Sequence, residues 1–171
     1  MTAPIPAWID GALTPVDKLA AHRRGLLHKA VSVFVMCGSD VLLQRRAMAK
    51  YHTPGLWTNT CCTHPRWGEA PEACAHRRLE EELGLTGLHL DHRERATYRA
   101  DVGGGLTENE RVDIFLARLR TPMTPCPDPA EVMETAWVSM AALEDSLRRA
   151  PERFTPWLRI YLERHGERIF A

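Results

Sequence analysis

The sequence predicts a single mixed α/β domain spanning residues 1–171, and three observations carry that prediction. Ala30–Cys37 reads AVSVFVMC, a β-branched run of strand length, followed by the turn signal Gly38-Ser39-Asp40 and a returning strand at Val41–Gln44. Ala75, Leu79 and Leu83 recur at helical spacing between Pro71 and Gly84. Strands and helices then alternate to the end of the chain with no internal repeat, low-complexity tract or linker, which argues α/β or α+β.

Residues 1–15 hold three prolines and support only a short strand or extended arm around Trp8–Leu13. Lys18–His28 is polar and basic. His22 and His28 are six residues apart and cannot share a helix face, so a joint role requires an irregular segment between them. Taken alone, such a run describes a solvated basic surface. Pro54-Gly55 breaks the chain before Leu56-Trp57, and Asn59–Pro65 reads as a polar loop with two adjacent cysteines and a histidine. After the turn Gly68–Pro71, Pro71 suits the first helical turn because it leaves no N–H unpaired. Glu69 and Glu72 sit at the positive end of the helix dipole, and Gly84 is a natural stop. Cys74, Arg78 and Glu82 form a second face of this helix. Ala96–Ala100 and Arg111–Leu119 are expected strands around Gly103-Gly104-Gly105. Pro122–Pro129 is a loop, Thr135–Val138 a short strand, and Ser139 the N-cap of a helix Met140–Arg149. Thr155 is expected to cap a last helix from Pro156 to Arg164.

Composition narrows the function. The chain has 171 residues with 22 basic and 22 acidic side chains, so no net charge argues for nucleic acid. No apolar run reaches the ~18 residues of a membrane span, and the basic-then-apolar order of a secretory signal is absent. Five cysteines, two of them adjacent, make a poor disulfide framework and point to a reducing cytoplasm. The chain is expected to act on a small molecule as a monomer or weak homodimer.

The stretch Thr63–Leu85 is the most specific local feature. Glu69, Arg77, Leu79, Glu81, Glu82, Gly84 and Leu85 match the Nudix box position by position. The resemblance implies a Nudix-type α/β/α sandwich whose helix binds a divalent cation that holds a diphosphate. Mg²⁺ suits such a site, since it prefers one or two carboxylates plus phosphate oxygens. Two positions depart from the box: Thr63 replaces Gly, and Arg78 replaces an acid. The second removes a carboxylate that hydrolytic members use and supplies a phosphate-binding cation, which counts against a Nudix diphosphate hydrolase.

A narrower resemblance covers nearly the whole chain. Lys18, Ala20–His22, Leu27-His28, Arg45–Ala47 with Lys50, Pro54–Asn59, the loop NTCCTHP, Thr97–Ala100, Thr107–Glu110 and Phe154–Trp157 together resemble the type I isopentenyl-diphosphate isomerases. That resemblance implies His22, His28, His64, Glu108 and Glu110 as ligands of a divalent metal. Their mixed N/O character suits Mn²⁺, Zn²⁺ or Fe²⁺. It also implies Mg²⁺ on Glu82 and the Cys62 backbone, and diphosphate contacts from Lys18, Arg46, Lys50 and Arg78.

The implied chemistry is proton addition to the alkene of isopentenyl diphosphate and removal from another carbon to give dimethylallyl diphosphate, in isoprenoid biosynthesis. Cys62 and Glu110 are implied as the acid–base pair on opposite sides of the substrate, with Tyr98 assisting and Trp157 stabilising the carbocation. Which of Cys62 and Glu110 protonates first stays open. Cys37, Cys61, Cys74 and Cys126 are read as small buried hydrophobes. His52, His76, His89, His92 and His165 are read as surface residues. Alternatives from other classes are the Nudix hydrolase and a non-catalytic Nudix-fold binding module. The presence of every acid–base residue argues against the module, and the lack of a spaced CxxC pair against a redox or metal-storage role.

Overall fold

A computed structural model describes residues 3–171; Met1 and Thr2 lie outside the described residues. The chain begins with a hairpin, β1 (Ile5–Ile9) and β2 (Ala12–Val16), in which Trp8 stands opposite Leu13. The expected single extended segment over Trp8–Leu13 is therefore a turn flanked by two strands. Asp10 and Gly11 have φ of +50° and +80°, the pair of positive values that a two-residue hairpin turn requires. Helix α1 (Lys18–Arg24) follows, capped by Asp17, whose carboxylate accepts from the Ala20 N–H at 2.9 Å. It stops at Gly25, whose left-handed φ of +60° reverses the chain into β3 (His28–Cys37).

β3 is the spine of the sheet. Along its full length it pairs in parallel with β8 (Leu106–Leu119), and β7 (Asp91–Gly103) lies antiparallel outside β8. Its other edge is divided among three strands. Ala7 of β1 faces His28, β6 (Cys61–Thr63) faces Val31–Val33, and β4 (Asp40–Arg46) leaves at Met36–Cys37. β4 then diverges to pair with β5 (Trp57–Thr58) and β9 (Val132–Ser139).

The two faces of β3 follow strand alternation. Val31, Val33 and Val35 pack with Ala75, Leu79 and Leu83 of α2 (Pro71–Leu83). Ala30, Phe34 and Met36 pack on the other face with Leu143 of α3 (Met140–Arg149) and with Trp157, Leu158 and Tyr161 of α4 (Pro156–Phe170). A sheet covered by helices on both faces is the expected α/β/α sandwich. Gly84 ends α2 with φ +64°, and a Cβ there would come within 3.1 Å of the Cys126 Cβ, so both backbone freedom and close approach favour glycine.

Several boundaries differ from the sequence reading. β8 begins at Leu106 rather than Arg111, because the triple-glycine turn closes directly onto it, and this places Glu108 and Glu110 inside a strand. β9 begins at Val132, and α4 runs on to Phe170, where Ile169 is buried. Ser139 caps α3 as expected, accepting from the Ala142 N–H at 3.2 Å. Thr155 makes no side-chain cap; its hydroxyl donates to Thr58 Oγ1 at 3.0 Å instead. The expected polar loop is strand β6 over Cys61–Thr63, because its backbone completes the exposed edge of β3. Thr63 has no positive φ, so the β-branched residue in the glycine position of the box strains nothing.

Candidate active site

Eleven of the thirteen expected side chains line one small cavity, and the other two, His22 and His28, pack against His64 beside it. Strand β8 supplies Glu108 and Glu110 on one face, since residues two apart on a strand point the same way. α1 supplies His22, the first residue of β3 is His28, and His64 follows β6. His22 and His28 are fully buried, so the basic segment that carries them is no solvated surface.

The donors form two overlapping groups. The ligand atoms of His22, His28, His64 and Glu110 lie within 4.8 Å of one another, as do those of His22, His52 and Glu108. Four of the five expected ligands thus share one cluster, and Glu108 stands in the adjoining one. His64 Nε2 is 2.9 Å, and His28 Nε2 3.5 Å, from Glu110 Oε1. His22 Nδ1 and His28 Nδ1 donate to the carbonyls of Lys18 (2.7 Å) and Leu26 (2.8 Å), which fixes the ring orientations. Their Nε2 atoms are buried and have no hydrogen-bond partner among the described residues. Two buried lone pairs left free beside a carboxylate fit a divalent transition ion.

Between the carboxylates stands Tyr98. Its hydroxyl is 2.7 Å from Glu108 Oε2 and 2.7 Å from Glu110 Oε2, and its single proton serves one of them at a time. Burial, and then the charge of Glu110, push the Glu108 carboxyl well up. Burial also pushes Glu110 up, but the His28 and His64 rings beside it outweigh that and hold the group well below the usual carboxylate range. His22 is pushed down to about 4 by burial and the neighbouring His28, so its ring is neutral at pH 7.

Cys61 and Cys62 point to opposite faces, as adjacent strand residues must. Cys61 is buried against α2 with Leu79, whereas Cys62 faces the cavity. Cys62 Sγ lies 2.9 Å from Asn59 Oδ1 and 3.0 Å from Ser32 Oγ. Asn59 Nδ2 in turn donates to Ser32 Oγ at 2.9 Å. Burial pushes the Cys62 thiol up to about 12, against the opposing pull of the Ser32 hydroxyl, so it holds its proton at neutral pH. Trp157 is buried, and its indole N–H donates to Thr58 Oγ1 at 2.9 Å, which leaves the ring facing the cavity beside Tyr98.

The rim is cationic. Lys18, Arg46, Lys50 and Arg78 all line the cavity. Burial and the charges of Lys50, Arg78 and Arg46 lower Lys18 to about 8. Arg78 donates to Glu82 Oε1 at 2.5 Å, and Gln44 Nε2 donates to Glu82 Oε2 at 3.0 Å. Of the acids on the helix, Glu82 alone lines this cavity. Glu69 is clamped by Arg77 at 2.6 and 2.8 Å, which holds it at about 2, and Glu81 pairs with Arg77 and Arg78 at the half-exposed surface.

Two sequence readings are corrected here. His52 is not a surface residue: it is 5% exposed, lines the cavity and places Nε2 3.4 Å from Glu108 Oε1. His165 is half-buried against Glu94, whereas His76, His89 and His92 lie at or near the surface. Cys61 and Cys74 are buried as expected, but Cys37 is half-buried and Cys126 exposed, since the proline-rich loop carries Cys126 over the end of α2. The sequence reading also missed Ser32, Gln44, Asn59 and Glu131, the last of which pairs with Lys50 and, at 3.3 Å, with Arg78. Only Asn59 carried a sequence signal, as part of the loop beside Cys62.

Comparison with known proteins places these features. A NUDIX domain family model matches residues 26–158. The isopentenyl-diphosphate Delta-isomerase of Dinoroseobacter shibae is 63% identical over 167 residues, covering 98% of this chain and 95% of that protein. A protein of the same name from Cereibacter sphaeroides is 62% identical over 171 residues, covering 100% and 97%. Among solved structures, a Deinococcus radiodurans protein superposes with a TM-score of 0.74 at 14% identity, covering 96% of this chain and 99% of that one. A MutT NUDIX hydrolase from Burkholderia pseudomallei gives 0.63 at 20% identity, covering 81% and 98%. At those identities the structural likeness is one of fold alone.

Proposed function

The chain belongs to the Nudix family and, within it, to the isopentenyl-diphosphate Delta-isomerases, and from that premise we propose that it interconverts isopentenyl and dimethylallyl diphosphate. The observation that carries the proposal is the meeting of the Cys62 thiol, the Glu110 carboxylate and the buried Trp157 indole on one cavity rimmed by Lys18, Arg46, Lys50 and Arg78.

In this reading Lys18, Arg46, Lys50 and Arg78 bind the diphosphate. The cavity holds about 30 Å³, so a C5 diphosphate enters only as rim side chains withdraw. Lys50 and Arg78, which pair with Glu131, exchange that carboxylate for phosphate oxygens. Glu82, with lone pairs that Arg78 and Gln44 do not use, and the Cys62 backbone would hold Mg²⁺, which would supply further positive charge to the diphosphate. The alkene then lies between Cys62 and Glu110. A proton is added to the terminal methylene, leaving a tertiary cation at C3, and a proton lost from C2 forms the new double bond. Tyr98 passes its proton between the carboxylates, and the Trp157 face stabilises the cation. His22, His28, His64, Glu108 and Glu110 would hold a Mn²⁺ or Zn²⁺ ion, which would supply positive charge beside Glu110 and set its proton affinity. The helix holds the diphosphate without cutting it, because Arg78 occupies the position of a hydrolytic carboxylate and leaves Glu82 as the one helix acid on the cavity. We place the enzyme in the cytoplasm as a single-domain monomer or weak dimer. Among the described residues no helix is long and apolar enough to cross a membrane.

Incubation with isopentenyl diphosphate and Mg²⁺ in D₂O, followed by NMR, is expected to give deuterated dimethylallyl diphosphate with no release of phosphate or pyrophosphate. Hydrolysis of nucleoside or sugar diphosphates without allylic product would place the chain on the hydrolytic branch. Elemental analysis is expected to find about one transition ion per chain. Stringent chelation followed by Mg²⁺ alone is expected to leave the enzyme inactive; full activity after that treatment overturns the transition-metal site.

A second expectation concerns the indole. Trp157→Phe keeps a weaker π face and Trp157→Ala removes it, so activity is expected to fall in the order Trp, Phe, Ala, mainly in kcat. A change confined to KM reduces the ring to a wall of the pocket.

A further inference from the structure

The two donor groups overlap on one ring. His22 belongs both to the set with His28, His64 and Glu110 and to the set with His52 and Glu108. Its Nδ1 lies 2.7 Å from the Lys18 carbonyl, which can only accept, so Nδ1 carries the proton and Nε2 alone offers a lone pair. A neutral imidazole with one lone pair serves one ion. His22 therefore serves an ion in one of the groups or one ion shared by both, not two separate ions.

We propose that His52 is a ligand of that ion, a fourth imidazole beside His22, His28 and His64, with Glu108 and Glu110 completing six protein donors. This rests on the metal centre in the preceding subsection. Three observations argue for it. First, His52 is oriented like His22 and His28: Nδ1 faces a local oxygen, here the Thr53 hydroxyl at 3.0 Å, which can accept from it, while Nε2 turns inward to 3.4 Å from Glu108 Oε1. Second, its ring centroid is 5.5 Å from that of His22 and the side chain is 4% exposed, so the ring stands beside the other imidazoles and is screened from bulk solvent. Third, the segment is held in place at a conformational cost. Thr53 is a β-branched residue at φ +47°, in the left-handed region such residues avoid. The Arg46 guanidinium fastens it there, donating to the carbonyls of His52 at 3.1 Å and Thr53 at 3.2 Å. Strain of this kind persists where surrounding contacts over-determine a functional position. Arg46 thereby joins the diphosphate rim to the metal centre through one side chain.

Six protein donors leave the ion no open position. Its part is then to fix Glu108 and Glu110, with direct contact to the hydrocarbon excluded. The probe for this is Co²⁺ loaded into the full chain. X-ray absorption at the cobalt edge is expected to fit four imidazoles; three overturns the assignment of His52. In visible spectra the wild-type Co²⁺ form is expected to show the weak bands of six-coordination. His52→Ala is expected to show the stronger bands of a lower coordination number, together with a Co²⁺ affinity lower by about 10–100-fold in competition with a chromogenic chelator. Unchanged spectra and affinity overturn the proposal. Should His52→Ala fail to fold, the absorption edge of the unaltered chain decides. A chain that takes up no transition ion refutes the centre as a whole, whereas three imidazoles in an active, loaded enzyme refute His52 alone.

Discussion

Cys62→Ala is expected to lose isomerisation by about 10²–10⁴-fold, the range over which a positioned proton donor accelerates a reaction, while its melting temperature stays close to that of the wild type. The two effects separate because of where the side chain points. Cys62 stands on the cavity side of β6, where its sulfur contacts the polar Ser32 and Asn59 and packs only at the edge of the core that holds Phe34 and Trp157. Cys61, one residue earlier, is fully buried on the opposite face against α2. Cys61→Ala is expected to do the converse, costing on the order of 1 kcal/mol of stability with near-normal turnover. Assays at saturating substrate beside thermal melts of both variants check the pair. Near-normal isomerisation by Cys62→Ala refutes its role as acid or base.

Glu110→Gln is expected to be at least as damaging and to differ in kind. Glu110 is a proposed base and also the carboxylate to which His28 and His64 turn their Nε2 atoms. The amide is isosteric but uncharged, cannot accept a proton at neutral pH and is a poor ligand for a transition ion. Loss of turnover by about 10²–10⁴-fold is therefore expected together with loss of bound metal, whereas Cys62→Ala is expected to retain its metal. Elemental analysis of the two variants side by side distinguishes them. A Glu110→Gln protein that keeps both its ion and its rate removes this residue from the site.

Much of the local structure was legible because local rules governed it. Pro71, the Ala75–Leu79–Leu83 stripe and Gly84 delimit α2 to the residue, since cap chemistry and a 3.6-residue period act within a few turns. β3 was equally plain, as a β-branched run buried on both faces. The Asp10-Gly11 turn carried its own signal and was overlooked beneath the prolines around it. The length of β8 was not legible: Thr107–Glu110 is polar, and it becomes strand because β7 folds back along it.

The sandwich, the helix Pro71–Leu83 with its reversed charge at Arg78, and the residue types gathered at the site were all written in the sequence. Only the tertiary structure decided how they are grouped. His52 lies in a ten-residue connection without periodicity, so nothing in its surroundings in sequence distinguishes it from a surface histidine; Arg46 draws it inward by binding two of the connection's carbonyls. The division of labour among Glu69, Glu81 and Glu82 was likewise settled in space, because Arg77 captures the first while Gln44, on a strand remote in sequence, joins Arg78 on the last. Charges and periodicities are written along the chain, but the partner that claims a given carboxylate or imidazole is set by distances between segments that meet only when the sheet closes.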